Sequence, residues 1–99
     1  MIIYEVRAEV IAHRADEWQA WIVPHMQDVI DTGCFTGASL EKIIDPVTER
    51  VVFRVRYTAL SMVDIDRYIS DHAPALRAAG LAAFGDDAHT SRTLSIPLT

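Results

Sequence analysis

DEWQAWIVPHMQDVIDTGCF, residues 16–35, sets Trp18, Trp21, Ile22, His25, Met26, Val29 and Ile30 at recurring three- and four-residue spacing. That spacing gathers side chains on one face of a helix, and so long an apolar face must be buried against another layer. Asp16 is expected to cap the helix, with Glu17 well placed in the dipole field of its first turn. Pro24 lacks an amide hydrogen and crowds the preceding turn, so the pattern predicts a kink or break near residues 21–23, dividing the helix into residues 17–23 and 24–32. Gly33 supplies a left-handed stop, and Cys34 and Phe35 follow it directly.

Toward the amino terminus, residues 2–11 alternate. Ile2, Tyr4, Val6, Ala8 and Val10 form one row, and Ile3, Glu5, Arg7, Glu9 and Ile11 form the other. This is a strand with one apolar face. Beyond the helix, residues 35–44 have the length and apolar content of a second strand, with Gly37 expected to mark a bulge or a close approach. Asp45-Pro46 starts a turn. Residues 51–59 then alternate again, with Val51, Phe53, Val55 and Tyr57 against Val52, Arg54, Arg56 and Thr58. Ser61 and Asp64 resemble a capping box, flanked by Leu60 and Ile65 at the positions of a hydrophobic staple. The helix they open has the predicted inward stripe Met62, Ile65, Ile69 and His72, with Tyr68 alongside. Pro74 begins a further helical run to Phe84, closed by Gly85, and residues 88–98 form the last strand.

The order strand, helix, strand, strand, helix, strand is that of a ferredoxin-like βαββαβ sandwich, an α+β fold occupying residues 1–99 as one domain. Right-handed crossovers place the first and third strands side by side in the centre of a four-stranded antiparallel sheet, with the helices on one face. Tyr4, Phe53 and Tyr57 then point at the helices. Glu5, Arg7 and Glu9 lie on the other face beside Arg54 and Arg56, where opposite charges can pair across strands. Ile3, Ile11 and Val52 add apolar surface there, which suits a homodimer that brings two open faces together better than a solvated surface.

Composition narrows the function classes. Fourteen acids against nine bases give a net charge of -5, so a phosphate backbone is repelled, and the strand aromatics point away from the face on which RNA-binding relatives of this topology stack bases. Nucleic acid is not an expected partner. No uncharged run approaches the roughly 20 apolar residues of a membrane span. The early charges of MIIYEVRAEV leave no signal-peptide core, and the single Cys34 allows no internal disulfide; a cytoplasmic location is expected.

His25 and His72 lie on the inward stripes, each beside a proline, and imidazole is the side chain best suited to moving a proton at neutral pH. With Tyr4 or Tyr57 nearby they would form an acid/base pair; the alternative is that both are hydrogen-bonded packing residues. Trp18 and Trp21 read as core, since they share a stripe with Ile22 and Val29. Cys34 reads as a small buried hydrophobe, the preceding charges Asp28 and Asp31 disfavouring a thiolate. No metal-ligand cluster or phosphate loop is present, and no cofactor is expected.

The segments MIIYEV, Trp18-x-x-Trp21, His25, Thr32-Gly33-Cys34-Phe35, Asp71-His72-Ala73-Pro74-Ala75-Leu76-Arg77 and Phe84-Gly85 resemble a group of short, uncharacterised bacterial proteins. That group is similar to the dimeric α+β barrel superfamily, which includes antibiotic-biosynthesis monooxygenases and related lactone isomerases. The resemblance implies a homodimer with its sheets packed into a barrel, and a small-molecule pocket in each subunit. Function is not inherited from such a fold. Three readings follow. Tyr4, Trp18, His25, Phe53, Tyr57 and His72 line a pocket for a small apolar or aromatic ligand; or His25 and His72 serve a cofactor-independent oxygenase or isomerase; or the chain is a non-catalytic interaction module. The first two require a cavity on the order of 300 Å³ or more, and the third requires none.

Overall fold

A computed structural model describes residues Met1–Thr99. Four strands and three helices follow one another as β1 (Ile2–Val10), α1 (Ala15–Asp31), β2 (Gly37–Lys42), β3 (Val51–Ala59), α2 (Met62–Asp71), α3 (Ala73–Phe84) and β4 (Ala88–Ser95), with short 3-10 turns before α1 and after α3. The sheet order is β2-β3-β1-β4, every pair antiparallel. The ferredoxin-like architecture is thus the one expected from the alternation of apolar residues, with β1 and β3 central. In the central pairing Tyr4 stands opposite Tyr57, Val6 opposite Val55 and Ala8 opposite Phe53. The inward row from Tyr4 to Val10 and from Phe53 to Ala59 supplies the sheet side of the core, and Trp18, Ile22 and Val29 of α1 with Ile65 and Tyr68 of α2 supply the helix side.

Several local expectations are corrected. α1 is a single helix from Ala15 to Asp31 with Pro24 inside it. Pro24 and Ala20, whose carbonyl the missing amide would have bonded, are both exposed. The freed carbonyl therefore stays accessible to water, and the helix continues past it. Asp16 lies in the first turn and is not the cap. Arg14 occupies the cap position, its side chain making no cap bond. Ser61 is extended as an N-cap should be, but its Oγ bonds Asp64 Oδ2 at 3.3 Å and reaches no backbone amide. The staple is absent as well, since Leu60 is 71% exposed. On α2 only Ile65 and Tyr68 of the expected stripe are buried, while Met62 and Ile69 are nearly half exposed. This ten-residue helix meets the sheet with one narrow face. β2 spans Gly37–Lys42, shorter than expected, and pairs from Gly37↔Thr58 in unbroken register without a bulge. β4 ends at Ser95, short of the expected Leu98.

Two arginines tie the ends of elements together. Arg14 pairs with Glu17 Oε2 at 2.6 Å and Asp87 Oδ2 at 3.0 Å, donates to the Ala83 carbonyl, and lies 4.4 Å from the Phe84 ring centroid. It joins the start of α1 to the end of α3. Arg50 Nη1 donates to the carbonyls of Glu9, Asp86 and Asp87, each at 3.2 Å.

The uncovered face of the sheet also departs from expectation. Glu5 stands opposite Arg56, but Arg7 stands opposite Arg54 and Glu9 opposite Val52. The ion pairs on this face run instead to Glu41 of β2, at 3.3 Å from Arg54 and 3.0 Å from Arg56. Val52, expected to offer apolar surface to a partner, is 0% exposed within the single chain. The β2–β3 connection is fastened at this end of the sheet, through the Ile43 amide to the Val52 carbonyl at 2.9 Å and through Arg50 to the Glu9 carbonyl.

Both glycine stops form as expected, Gly33 with φ 78° and Gly85 with φ 52°. At Gly85, ψ is -132°, a backbone region essentially restricted to glycine. A Cβ there would meet no atom within 4 Å, so the cost of adding one is a backbone cost alone. Gly85→Ala is expected to lower the unfolding free energy by about 1–3 kcal/mol. Gly37→Ala, at an equally open position without positive φ, is the control and should cost less than half as much; urea denaturation of both variants measures the difference.

Candidate functional site

A cavity of about 270 Å³ lies between the sheet and the helices. Its position follows from the layers: helix backbones stand off the sheet, and where facing side chains do not interdigitate a hollow remains. The inward strand rows present Tyr4, Tyr57, Thr90 and Arg92 to it. From α1 come Trp18, Trp21, His25 and Val29, from α2 Tyr68, and from α3 Leu76, Arg77 and Leu81. α3 also brings Gly80 to the wall beside Trp21, where a Cβ would make ordinary van der Waals contact with Cη2 at 3.5 Å.

Aromatic contacts shape the walls. Tyr4 is the hub of one group, with ring centroids 5.9 Å from Phe35, 6.3 Å from Tyr57 and 5.5 Å from Tyr68. Trp21 is the hub of another, stacked on His25 at 4.5 Å and meeting Phe84 edge-on at 5.4 Å. Such geometries stabilise packing beyond area burial alone and hold the rings in fixed orientations.

Of the residues expected to line a pocket, Tyr4, Trp18, His25 and Tyr57 do so. Phe53 and His72 do not. Phe53 is 1% exposed and stacks on Trp18 at 4.7 Å, so it supports the wall from behind. His72 sits at the α2–α3 junction, packed against Tyr68 at 6.4 Å, with its amide bonded to the Tyr68 carbonyl. His25 and His72 therefore do not face one cavity, and the acid/base pair expected of them is not assembled. Cys34 is buried beside Thr32, away from the lining. Trp21, Tyr68, Arg77 and Arg92 line the cavity although sequence reasoning did not mark them as site residues. A signal existed for Arg92: Ala88, Thr90, Arg92 and Leu94 share one strand row, and Arg92 stands opposite the inward Val6. For Arg77 the signal was weaker, its place four residues after the buried Ala73 on α3.

The electrostatics are uneven. No Asp or Glu lines the cavity, whereas two arginines do. Arg77 Nη2 donates to Tyr4 Oη at 3.0 Å. Burial pushes the Tyr57 phenol well above its ordinary range, the nearby Tyr68 and Tyr4 adding to the effect and Arg92 opposing it. The Tyr68 phenol is pushed up to about 12, again chiefly by burial, with Arg92 and Arg77 opposing. Both hydroxyls therefore remain protonated donors at neutral pH. Burial lowers the His25 pKa, against the pull of Asp28, and Arg92 lowers it further; the imidazole is neutral at pH 7 and able to accept a proton. No group of three or more His, Cys, Asp or Glu side chains is placed to hold a metal ion, and no helix is long and apolar enough to cross a membrane.

Similarity to known proteins follows the fold. The chain resembles SnoaB, a cofactor-independent oxygenase from Streptomyces nogalater, with 9% identity over 99% of this chain and 94% of that one and a TM-score of 0.68. It resembles a dimeric ferredoxin-like protein from an uncultured marine organism, with 11% identity over 99% and 95% of the two chains and a TM-score of 0.68. A dabb family protein with a ferredoxin-like fold from Mesorhizobium loti aligns with 15% identity over 99% and 98% and a TM-score of 0.64. At these identities the likeness is one of fold. No curated protein matches the sequence significantly. The family is shown directly by the sequence: residues 1–95 match the family described as domain of unknown function (DUF4286), and the chain belongs to that family.

Proposed function

We propose that two copies of this chain pack their open sheet faces together into an α+β barrel, and that the cavity of each copy binds a small, partly apolar molecule. The observation that carries the binding reading is the aromatic-walled hollow of about 270 Å³ into which polar side chains point. Its volume is near the lower end of ligand sites, and a cavity of about 150 Å³ already accepts a benzene ring.

Dimerisation is supported by the one-sided cover of the sheet and by the dimeric ferredoxin-like protein of the same fold. Ile3, Glu5, Arg7, Glu9, Arg54 and Arg56 would form the contact, with Val52 already buried behind it. Such a face joins apolar area to charges that can pair across a two-fold axis. Native mass spectrometry under mild conditions should show a dimer carrying a stoichiometric small mass, and Ile3→Glu should shift it to monomer. A wild-type monomer at micromolar concentration would overturn the barrel.

A second reading, proton abstraction from the bound molecule by His25 in a cofactor-independent oxygenase or isomerase, is favoured by the half-buried, neutral imidazole at the cavity wall. His72, outside the lining, would play no direct part in it. Because the folded-state pKa is depressed, the unfolded chain binds the proton more readily than the folded one. The resulting stability is present above the ordinary histidine pKa of about 6.5 and is lost as pH falls through the folded-state value. Chemical denaturation between about pH 8 and pH 4 should show this loss in the wild type and a smaller one in His25→Gln. Identical pH profiles would show that the imidazole is not held neutral, and so is not poised as a base.

A further inference from the structure

Building on the reading of the cavity as a binding site, we propose that its ligand is a small carboxylic acid with an aromatic or otherwise apolar body, the carboxylate being held by Arg77 and Arg92. The chain carries fourteen acidic and nine basic residues. Its cavity inverts that balance, with two guanidinium groups and no carboxylate in the lining. Arg14, Arg54, Arg56 and Arg67 all have carboxylate partners. Of the four arginines without one, Arg7, Arg50, Arg77 and Arg92, only Arg77 and Arg92 line the cavity. Arg77 makes one hydrogen bond, to Tyr4 Oη at 3.0 Å, and Arg92 makes one, to Thr90 Oγ1 at 3.2 Å. A guanidinium presents five N–H donors, so most of the donors of both side chains are uncommitted.

The two cations come from different walls, Arg77 from α3 and Arg92 from β4. Arg77 reaches Tyr4 Oη, and Arg92 stands opposite Val6, the inward residue next to Tyr4 along β1, so both side chains border the same cavity from facing layers. Two like charges at the rim of an apolar hollow repel each other, and an anion between them relieves the repulsion while gaining hydrogen bonds to both. The planar fork of arginine matches the two oxygens of a carboxylate. The hydroxyls of Tyr57 and Tyr68 have no hydrogen-bond partner in the chain and are not among its fully enclosed polar atoms, so they offer two further donors. The remaining wall, with Trp18, Trp21 and Leu76, suits an apolar body, and the volume limits that body to about one ring and a short chain.

The test is a calorimetric titration of the purified protein with 3-phenylpropionate and with its neutral isostere 3-phenylpropionamide. The acid should bind at least about tenfold more tightly than the amide, the contribution expected of a charged hydrogen-bonded pair. Arg92→Gln, at an exposed strand position, and Arg77→Gln should each weaken the acid by about tenfold and leave the amide unchanged. Equal affinity for acid and amide, or an acid affinity that survives both substitutions, would overturn the carboxylate assignment and leave the cavity reading standing. Failure of both probes to bind at millimolar concentration would overturn the cavity reading and the proposal with it. If Arg92→Gln changed the dimer–monomer equilibrium and not the acid affinity, Arg92 would belong to the subunit contact, which also overturns the assignment.

Discussion

The antiparallel pairing of β1 with β3 is the constraint on which the rest of the molecule depends, because it sets Tyr4 directly opposite Tyr57 at the centre of the sheet. Side chains alternate along a strand, so that single register commits nine residues of each strand to one face or the other. A slip by one residue would carry Tyr57 to the open face and bring Arg56 under the helices. The aromatic group around Tyr4 then locates α2, through Tyr68, and the end of the α1–β2 connection, through Phe35. The cavity is what remains where these large rings, fixed by the register, meet α1 and α3 without filling the space between them.

Arginine serves four separate purposes in a chain whose net charge is negative. Arg14 and Arg50 bind carbonyls and carboxylates where elements end, fastening those ends to one another. Arg54 and Arg56 share Glu41 on the open face. Arg67 pairs with Asp64 and donates to the Gly33 carbonyl, linking α2 to the stop of α1. Arg77 and Arg92 alone face an apolar hollow without a carboxylate partner. The first three roles are structural, each joining or fastening elements of the fold. The fourth leaves binding capacity unspent.

Much of the architecture was legible in local pattern. The alternation in residues 2–10 and 51–59, the helical stripe from Trp18 to Val29 and the stops at Gly33 and Gly85 all report which face of an element is apolar and where the chain must turn, and the structure keeps them. Some expectations failed locally, at the caps expected of Asp16 and Ser61 and at the ends of β2 and β4, and others concern contacts between elements. Whether Pro24 breaks a helix depends on whether its freed carbonyl is buried, and Ala20 turns out to be exposed. Whether Ile69 is inward depends on how much of α2 the sheet can cover. Which residue pairs with Arg54 and Arg56 depends on β2 lying beside β3, which brings in Glu41.

The candidate site divides in the same way. Tyr4, Trp18, His25 and Tyr57 were readable because each sits on an apolar row, and a row is a property of spacing along one element. The distinction between lining a cavity and backing its wall, which separates Trp18 from Phe53, is set by how two layers interdigitate. So is the separation of His25 from His72, which stand on different helices with Tyr68 packed against the second. The sequence by itself determined the order of elements, the sheet topology and the apolar faces, because these follow from periodicity and handedness along the backbone. Only the tertiary structure decided that a hollow exists, that one histidine reaches it and that Arg77 and Arg92 share it, because distances between side chains of different elements are set by packing.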